Sequence, residues 1–288
     1  MQHLSGFAPL ADRYQGFVLD LWGVIHDGVN AFPHAIECLQ RLREAGKRTL
    51  LLSNVPRPSA PVQAMMRRMG VEDALYTGIL TSGEAVRNAL RQPPDLWWAE
   101  LGTRVFHLGP ERDRPVLEGL ALTVAHSPAE ADFILNTGPD DHRNPSEMSE
   151  FEPVLVECAR YRLRMVCANP DLEVIRGGVR VLCAGALAVR YAELGGEVRS
   201  LGKPDPAIYQ PVLEQLGLPP DQVLAVGDSL RTDIAGAASV DLAACWVLDG
   251  VHGSTLRDPR GDFDLARAET LAQEVGLAPI ATLPRFVW

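Results

Sequence analysis

The sequence predicts an α/β protein: a doubly wound parallel sheet with a second, smaller α/β domain inserted into it. Three observations carry that expectation. Short apolar runs alternate with amphipathic helical patterns at both ends of the chain, a stretch with its own alternation separates the two halves, and 288 residues exceed what one core comfortably serves.

The first half opens with the apolar run Phe17 to Leu19. A helix over Phe32 to Ala45 follows, with Ile36, Leu39 and Leu42 at helical spacing and a stop at Gly46. A strand over Thr49 to Leu52 leads into a helix over Pro61 to Met69, closed by Gly70. The same grammar returns late in the chain, with a helix over Pro206 to Leu216, a strand over Val223 to Val226, a helix over Ile234 to Ser239 and a strand over Ala243 to Val247. Between them lie a helix over Ser82 to Leu90, strands over Arg104 to Leu108 and Phe133 to Leu135, a helix over Ser146 to Tyr161 and a strand over Leu163 to Cys167. The expected domains are therefore residues 1–81 plus 197–288, and residues 82–196 as the insert.

Composition narrows the function. The formal net charge of −10, without a dense Lys/Arg run, argues against a nucleic-acid partner. Five scattered cysteines without Cys-x-x-Cys spacing fit a reducing cytosol, so a cytoplasmic location is expected. No apolar run is long enough to span a membrane, and the first ten residues do not read as a secretion signal.

In an open parallel sheet, ligands collect at the carboxyl ends of the strands, so the residues just after each apolar run are the informative ones. Asp20 follows the first strand and reads either as a nucleophile or metal ligand or as a loop cap. Ser53 and Asn54 follow the second, where a hydroxyl and backbone amides can bind phosphoryl oxygens, although both are also common turn residues. Lys203, within Gly202-Lys203-Pro204, offers a point positive charge; Pro204 excludes a nucleotide P-loop. Asp228 and Asp233 flank a helix start after a glycine turn. Two acids there, at the same sheet edge as Asp20, would repel one another unless a divalent cation such as Mg²⁺ and Lys203 neutralised them.

Taken in order, Asp20 in its Phe-Val-Leu-Asp context, Ser53, Gly202-Lys203-Pro204 and Gly227-Asp228 with Asp233 resemble the four motifs of the haloacid dehalogenase (HAD) superfamily. The insert, with Thr81-Ser82-Gly83 near its start and Ala168-Asn169-Pro170-Asp171 near its end, looks like the type-two cap of subclass A, the branch of nitrophenyl-phosphatase-like and sugar-phosphatase-like members. The resemblance implies a HAD-like Rossmannoid core and a Mg²⁺-dependent phosphatase. Asp20 would form an aspartyl-phosphate, and Asp20, the Trp22 carbonyl, Asp228 and Asp233 would serve the metal. Ser53, Asn54 and Lys203 would meet the phosphoryl group, and Asn169 and Asp171 could face it from the cap. It further implies a small phosphorylated metabolite as substrate and self-association through the cap.

One position departs from that pattern. Phosphatase members carry a second aspartate two residues after the nucleophile, the general acid for the leaving group, and here that position is Trp22. An indole N–H donates a hydrogen bond but does not exchange a proton near neutral pH. The expected consequence is a preference for good leaving groups, unless His26 or Asp27 substitutes. Dehalogenase members also carry an aromatic residue there, so a metal-independent dehalogenase-like hydrolase is one alternative and a catalytically weakened binding protein another. Trp97-Trp98 reads as domain packing or a stacking surface, and Arg176-Gly177-Gly178 as a phosphate-facing loop or a plain turn.

Overall fold

The computed structural model describes residues 1–176 and 179–288. The chain forms two compact units: Met1–Ser53, Ala60–Leu80 and Lys203–Trp288 in one, Asn54–Ser59 and Thr81–Gly202 in the other. In chain order the first unit lays down β1 (Gln2–His3), α1 (Ala8–Arg13), β2 (Gly16–Leu19), α2 (Pro33–Glu44), β3 (Arg48–Ser53), α3 (Ser59–Arg68) and β4 (Gly78–Thr81). The second unit adds α4 (Ser82–Arg91), α5 (Leu96–Ala99), β5 (Arg104–Leu108), β6 (Thr123–Val124), β7 (Phe133–Asn136), α6 (Glu152–Arg160), β8 (Arg164–Cys167), β9 (Glu173–Arg176), β10 (Val179–Leu182), α7 (Ala184–Glu193) and β11 (Val198–Ser200). The first unit then resumes with α8 (Tyr209–Leu216), β12 (Val223–Gly227), α9 (Ala235–Ala238), β13 (Ala243–Val247), α10 (Leu265–Glu274) and β14 (Ala281–Leu283).

The sheet of the first unit runs β1-β14-β13-β12-β2-β3-β4, and its neighbours from β1 through β3 are parallel. Every residue of β2 and β12 is buried, which is why both read as unbroken apolar runs rather than as an alternation. The chain builds outward from β2 to β3 and β4, then returns to the other side of β2 with β12, β13 and β14. The order therefore reverses between β2 and β12, where an open parallel sheet leaves a crevice at its carboxyl edge. Leu19 lies opposite Val226 in that pairing, so Asp20 and Asp228 emerge side by side.

The second unit has its own parallel sheet, β11-β8-β7-β5-β6, and an antiparallel β9–β10 pair. One core cluster holds Phe151, Leu155, Leu187 and Tyr191; another holds Val86, Trp97 and Trp98. The two adjacent tryptophans are therefore core side chains, with Trp97 Nε1 donating to Glu197 at 2.6 Å. Gly177 and Gly178 lie outside the described residues.

Two details differ from the sequence expectation. The chain leaves the second unit after Gly202 rather than at 196, because Val198–Ser200 pairs with β8 as the edge of the inserted sheet, and residues 54–59 also group with the insert. The helix expected over Ser146 to Tyr161 begins only at Glu152. Pro153 has no N–H to donate and its ring excludes a preceding helical turn, so Met148–Glu150 forms a separate 3₁₀ turn. Among the described residues no helix is long and apolar enough to cross a membrane.

Candidate active site

Asp20 leaves β2 with its backbone N–H donating to Val226 O at 2.9 Å, which extends the β2–β12 ladder by one bond and fixes the carboxylate at the sheet edge. Asp228 leaves β12 beside it. Asp233 sits in a π-helical turn, Leu230–Ile234, whose start is capped by the Ser229 hydroxyl accepting from Thr232 N at 3.3 Å. Its Oδ2 in turn accepts from Ser229 N at 3.1 Å, so the acid is locked by the turn that carries it. One carboxylate oxygen each from Asp20, Asp228 and Asp233 lies within 4.8 Å of the other two, and all three residues are buried.

Lys203 is 3% exposed and points into this cluster. Its ammonium donates to Asp20 Oδ1 at 2.5 Å, to Asp233 Oδ1 at 2.7 Å and to Leu52 O at 3.0 Å. The Leu52 carbonyl ends the apolar part of β3, one residue before Ser53, which is itself buried. Thus residues from β2, β3, β12 and the segment before α8 meet at one rim of one sheet.

The electrostatics is unbalanced. Burial, then the charges of Asp20 and Asp233, push the Asp228 carboxyl well above the ordinary aspartate range, while the Val251 N–H and Lys203 pull the other way. One buried ammonium against three buried carboxylates leaves an acidic excess that only protons or a cation can remove. An all-oxygen donor set of this kind suits a hard divalent ion such as Mg²⁺. The backbone allows such crowding: Gly23 has φ +78°, and a Cβ there would lie 2.3 Å from Asp228 Oδ2.

Trp22 is half-buried, and its indole runs away along the following loop. It packs edge-on to His26, with centroids 5.7 Å apart, and lies so close over Gly28 that a Cβ on that residue would be 2.1 Å from Cη2. Asp27 is exposed, and its carboxylate is held below the usual range by the N–H of Asn30 and Val29, so it serves its own turn. In the second unit Asn54 Nδ2 donates to Asp171 Oδ1 at 2.9 Å, and Asn169 Oδ1 accepts from Asp171 N at 3.0 Å. Asn54 is thus tied by its side chain to the Asn169–Asp171 turn of the same unit.

Sequence reasoning stopped at four strand ends and missed a fifth. β13 and the loop after it both reach Asp228: within the strand Trp246 Nε1 donates to its carbonyl at 2.9 Å, and in the loop Val251 N donates to its Oδ2 at 2.7 Å. The same strand-end rule would have directed attention to residues 248–252, but a backbone donor has no residue-type signature.

Residues 17–123 match the Haloacid dehalogenase-like hydrolase family and residues 200–273 a HAD-hydrolase-like family. Chronophin of Bos taurus is 30% identical, with 87% of each chain covered. A haloacid dehalogenase-like hydrolase from Brucella suis 1330 superposes with a TM-score of 0.83 at 32% identity, covering 99% of this chain and 100% of its own. The p-nitrophenyl phosphatase from Archaeoglobus fulgidus shares the fold, with a TM-score of 0.71 at 23% identity over 95% and 97% of the two chains. With three acids and a lysine gathered at the switch point of this sheet, the chain belongs to the haloacid dehalogenase-like hydrolases, subclass IIA, and is a phosphatase of that superfamily.

Proposed function

We propose that the protein hydrolyses phosphoric monoesters of small metabolites through an aspartyl-phosphate on Asp20, with Mg²⁺ held by Asp20, the Trp22 carbonyl, Asp228 and Asp233. The observation that carries this reading is the buried Lys203 ammonium bridging Asp20 and Asp233 beside Asp228. A bound Mg²⁺ would supply charge neutralisation for the phosphoryl oxygens. An Asp20 oxygen attacks phosphorus while the ester P–O bond breaks and the leaving group departs with that electron pair. Water then attacks the same phosphorus and loses a proton to solvent as the aspartyl O–P bond breaks, which releases inorganic phosphate and restores the carboxylate, while the departed leaving group takes its proton from solvent. Lys203 offsets negative charge on Asp20 and on the incoming phosphoryl group, which phosphoryl transfer chiefly requires. Ser53 and Asn54 are assigned to the phosphoryl oxygens, and Asn169 and Asp171 to the substrate side. Self-association through the second unit and a cytoplasmic setting complete the reading; the five cysteines, all buried, are compatible with a reducing compartment.

With Trp22 where a proton donor is expected, the leaving group departs unprotonated, and general acid catalysis is worth about 10²- to 10⁴-fold. Aryl and acyl phosphates should therefore turn over about 10²-fold faster than alkyl phosphates. The test is phosphate release from all three classes, with Mg²⁺ or with chelator, beside Asp20→Asn. Release that needs Mg²⁺ and vanishes in the variant is expected. Equal rates for alkyl and aryl esters would remove the leaving-group claim, and chelator-insensitive halide release from 2-haloacids would select a dehalogenase instead.

A further inference from the structure

The Asp228 carboxylate is held from outside the acidic cluster, by the loop that follows β13. Val251 N donates to Oδ2, and the neighbouring Gly250 passes so close that a Cβ there would lie 2.0 Å from the same oxygen. What places Gly250 and Val251 is the residue before them. Asp249 N donates to Pro284 O at 3.0 Å, and both its carboxylate oxygens are taken by arginines. Arg257 Nη2 donates to Oδ1 at 2.5 Å, and Arg285 Nε donates to Oδ2 at 2.6 Å. Arg257 is itself anchored, donating to Gly261 O at 2.6 Å and stacking over Phe263 at 4.2 Å. The loop is thus tied at its start to the segment after β14 and at its far end to the 257–263 turn.

We propose that Asp249, clamped between Arg257 and Arg285, is a positioning residue that sets the divalent-cation affinity of the Asp20/Asp228/Asp233 site by pressing Gly250 and Val251 against Asp228. The inference rests on the Mg²⁺-dependent reading above. A carboxylate that must choose its rotamer each time a cation arrives pays for that ordering in affinity, and one already fixed by a backbone N–H does not. Groups that orient a ligand from behind typically contribute about 10- to 100-fold in metal affinity. Asp249 sits near the low end of that range, because it acts through two backbone positions and its side chain is 23% exposed.

The test is calorimetric titration of the full chain with MgCl₂, without substrate, for wild type, Asp249→Ala, Arg285→Met and Arg285→Lys, each checked for native circular dichroism. We expect the Mg²⁺ Kd to rise about 10-fold in Asp249→Ala. It should rise less in Arg285→Met, where the Arg257 pair survives, and return towards wild type in Arg285→Lys. Phosphate release should show the same shift in the Mg²⁺ concentration for half-activity, with a much smaller change in kcat at saturating Mg²⁺. If Asp249→Ala does not fold, Arg285→Met carries the test. A wild type that binds no Mg²⁺ overturns the reading beneath the inference. A wild type that binds Mg²⁺, with folded variants of unchanged Kd and only a lowered Tm, overturns the inference alone.

Discussion

The Lys203 ammonium donates to three acceptors inside the protein, the Asp20 and Asp233 carboxylates and the Leu52 carbonyl. Removing it leaves two buried carboxylates without their cation, and breaking a buried pair in this way costs about 3–5 kcal/mol. Lys203→Met should therefore lose stability of that order in urea titrations run with chelator, and turnover should fall by more than about 10²-fold with Mg²⁺ present. Lys203→Arg should not restore turnover, because a planar fork cannot replace a point charge among three converging acceptors. Undiminished stability in Lys203→Met would show that these contacts are not the ones that matter. Trp22 poses the opposite problem. Its indole lies over Gly28, so Trp22→Asp both introduces a proton donor and strips packing from that turn. Alkyl phosphate turnover should rise in this variant while stability falls by about 1–3 kcal/mol, less than a fully buried tryptophan loses on truncation. A variant no faster on alkyl esters would mean that the missing acid is not what limits the wild type.

Elements with two buried faces or a strong helical period were readable from sequence, as β2, β3, β12, β13 and α2 show. The ten-residue helices α7 and α10 escaped, and so did several very short strands. β1, β6, β11 and β14 have two or three residues each, too few to display any period, and they exist because a neighbouring strand offers them a ladder. The same limit applied to the site. Asp20, Lys203, Asp228 and Asp233 could be placed at one rim because strand ends in a parallel sheet converge there, whereas the contribution of Val251 is a backbone N–H that any residue type would supply. The 3₁₀ turn Glu111–Leu117 of the second unit was equally invisible, yet it buries a titratable group. Asp113 is 3% exposed, with Arg57 Nε 3.5 Å away, and burial pushes its carboxyl up to about 6. Because the folded value is the higher one, its stabilising contribution is complete below the unfolded value of 3.8 and is lost as pH rises through 6. Asp113→Asn should accordingly be the more stable form at pH 7.5, by up to about 3 kcal/mol, with the gap closing by pH 4. Parallel unfolding curves at the two pH values would settle the sign, and a gap that did not change with pH would contradict it.

The contact between Lys203 and Asp20 spans 183 residues, so the second unit interrupts the chain between Asp20 and the charge that balances it. Closing so long a loop costs entropy that non-local contacts such as this one offset. The chain also carries a formal net charge of −10, and its substrate class is anionic. Beyond about a Debye length an incoming phosphate meets a repulsive field; nearer in, Lys203 and a divalent cation would neutralise the three carboxylates. These two ranges respond differently to salt. The Debye length shrinks from about 30 Å at 0.01 M to about 8 Å at 0.15 M, which screens the distant repulsion while leaving the buried cluster nearly untouched. At saturating Mg²⁺, kcat/KM for a dianionic aryl phosphate should therefore rise by about two- to fivefold over that range, with kcat flat. A fall in kcat/KM would mean instead that a positive local field already steers the substrate in, and that the acidic surface faces away from its path.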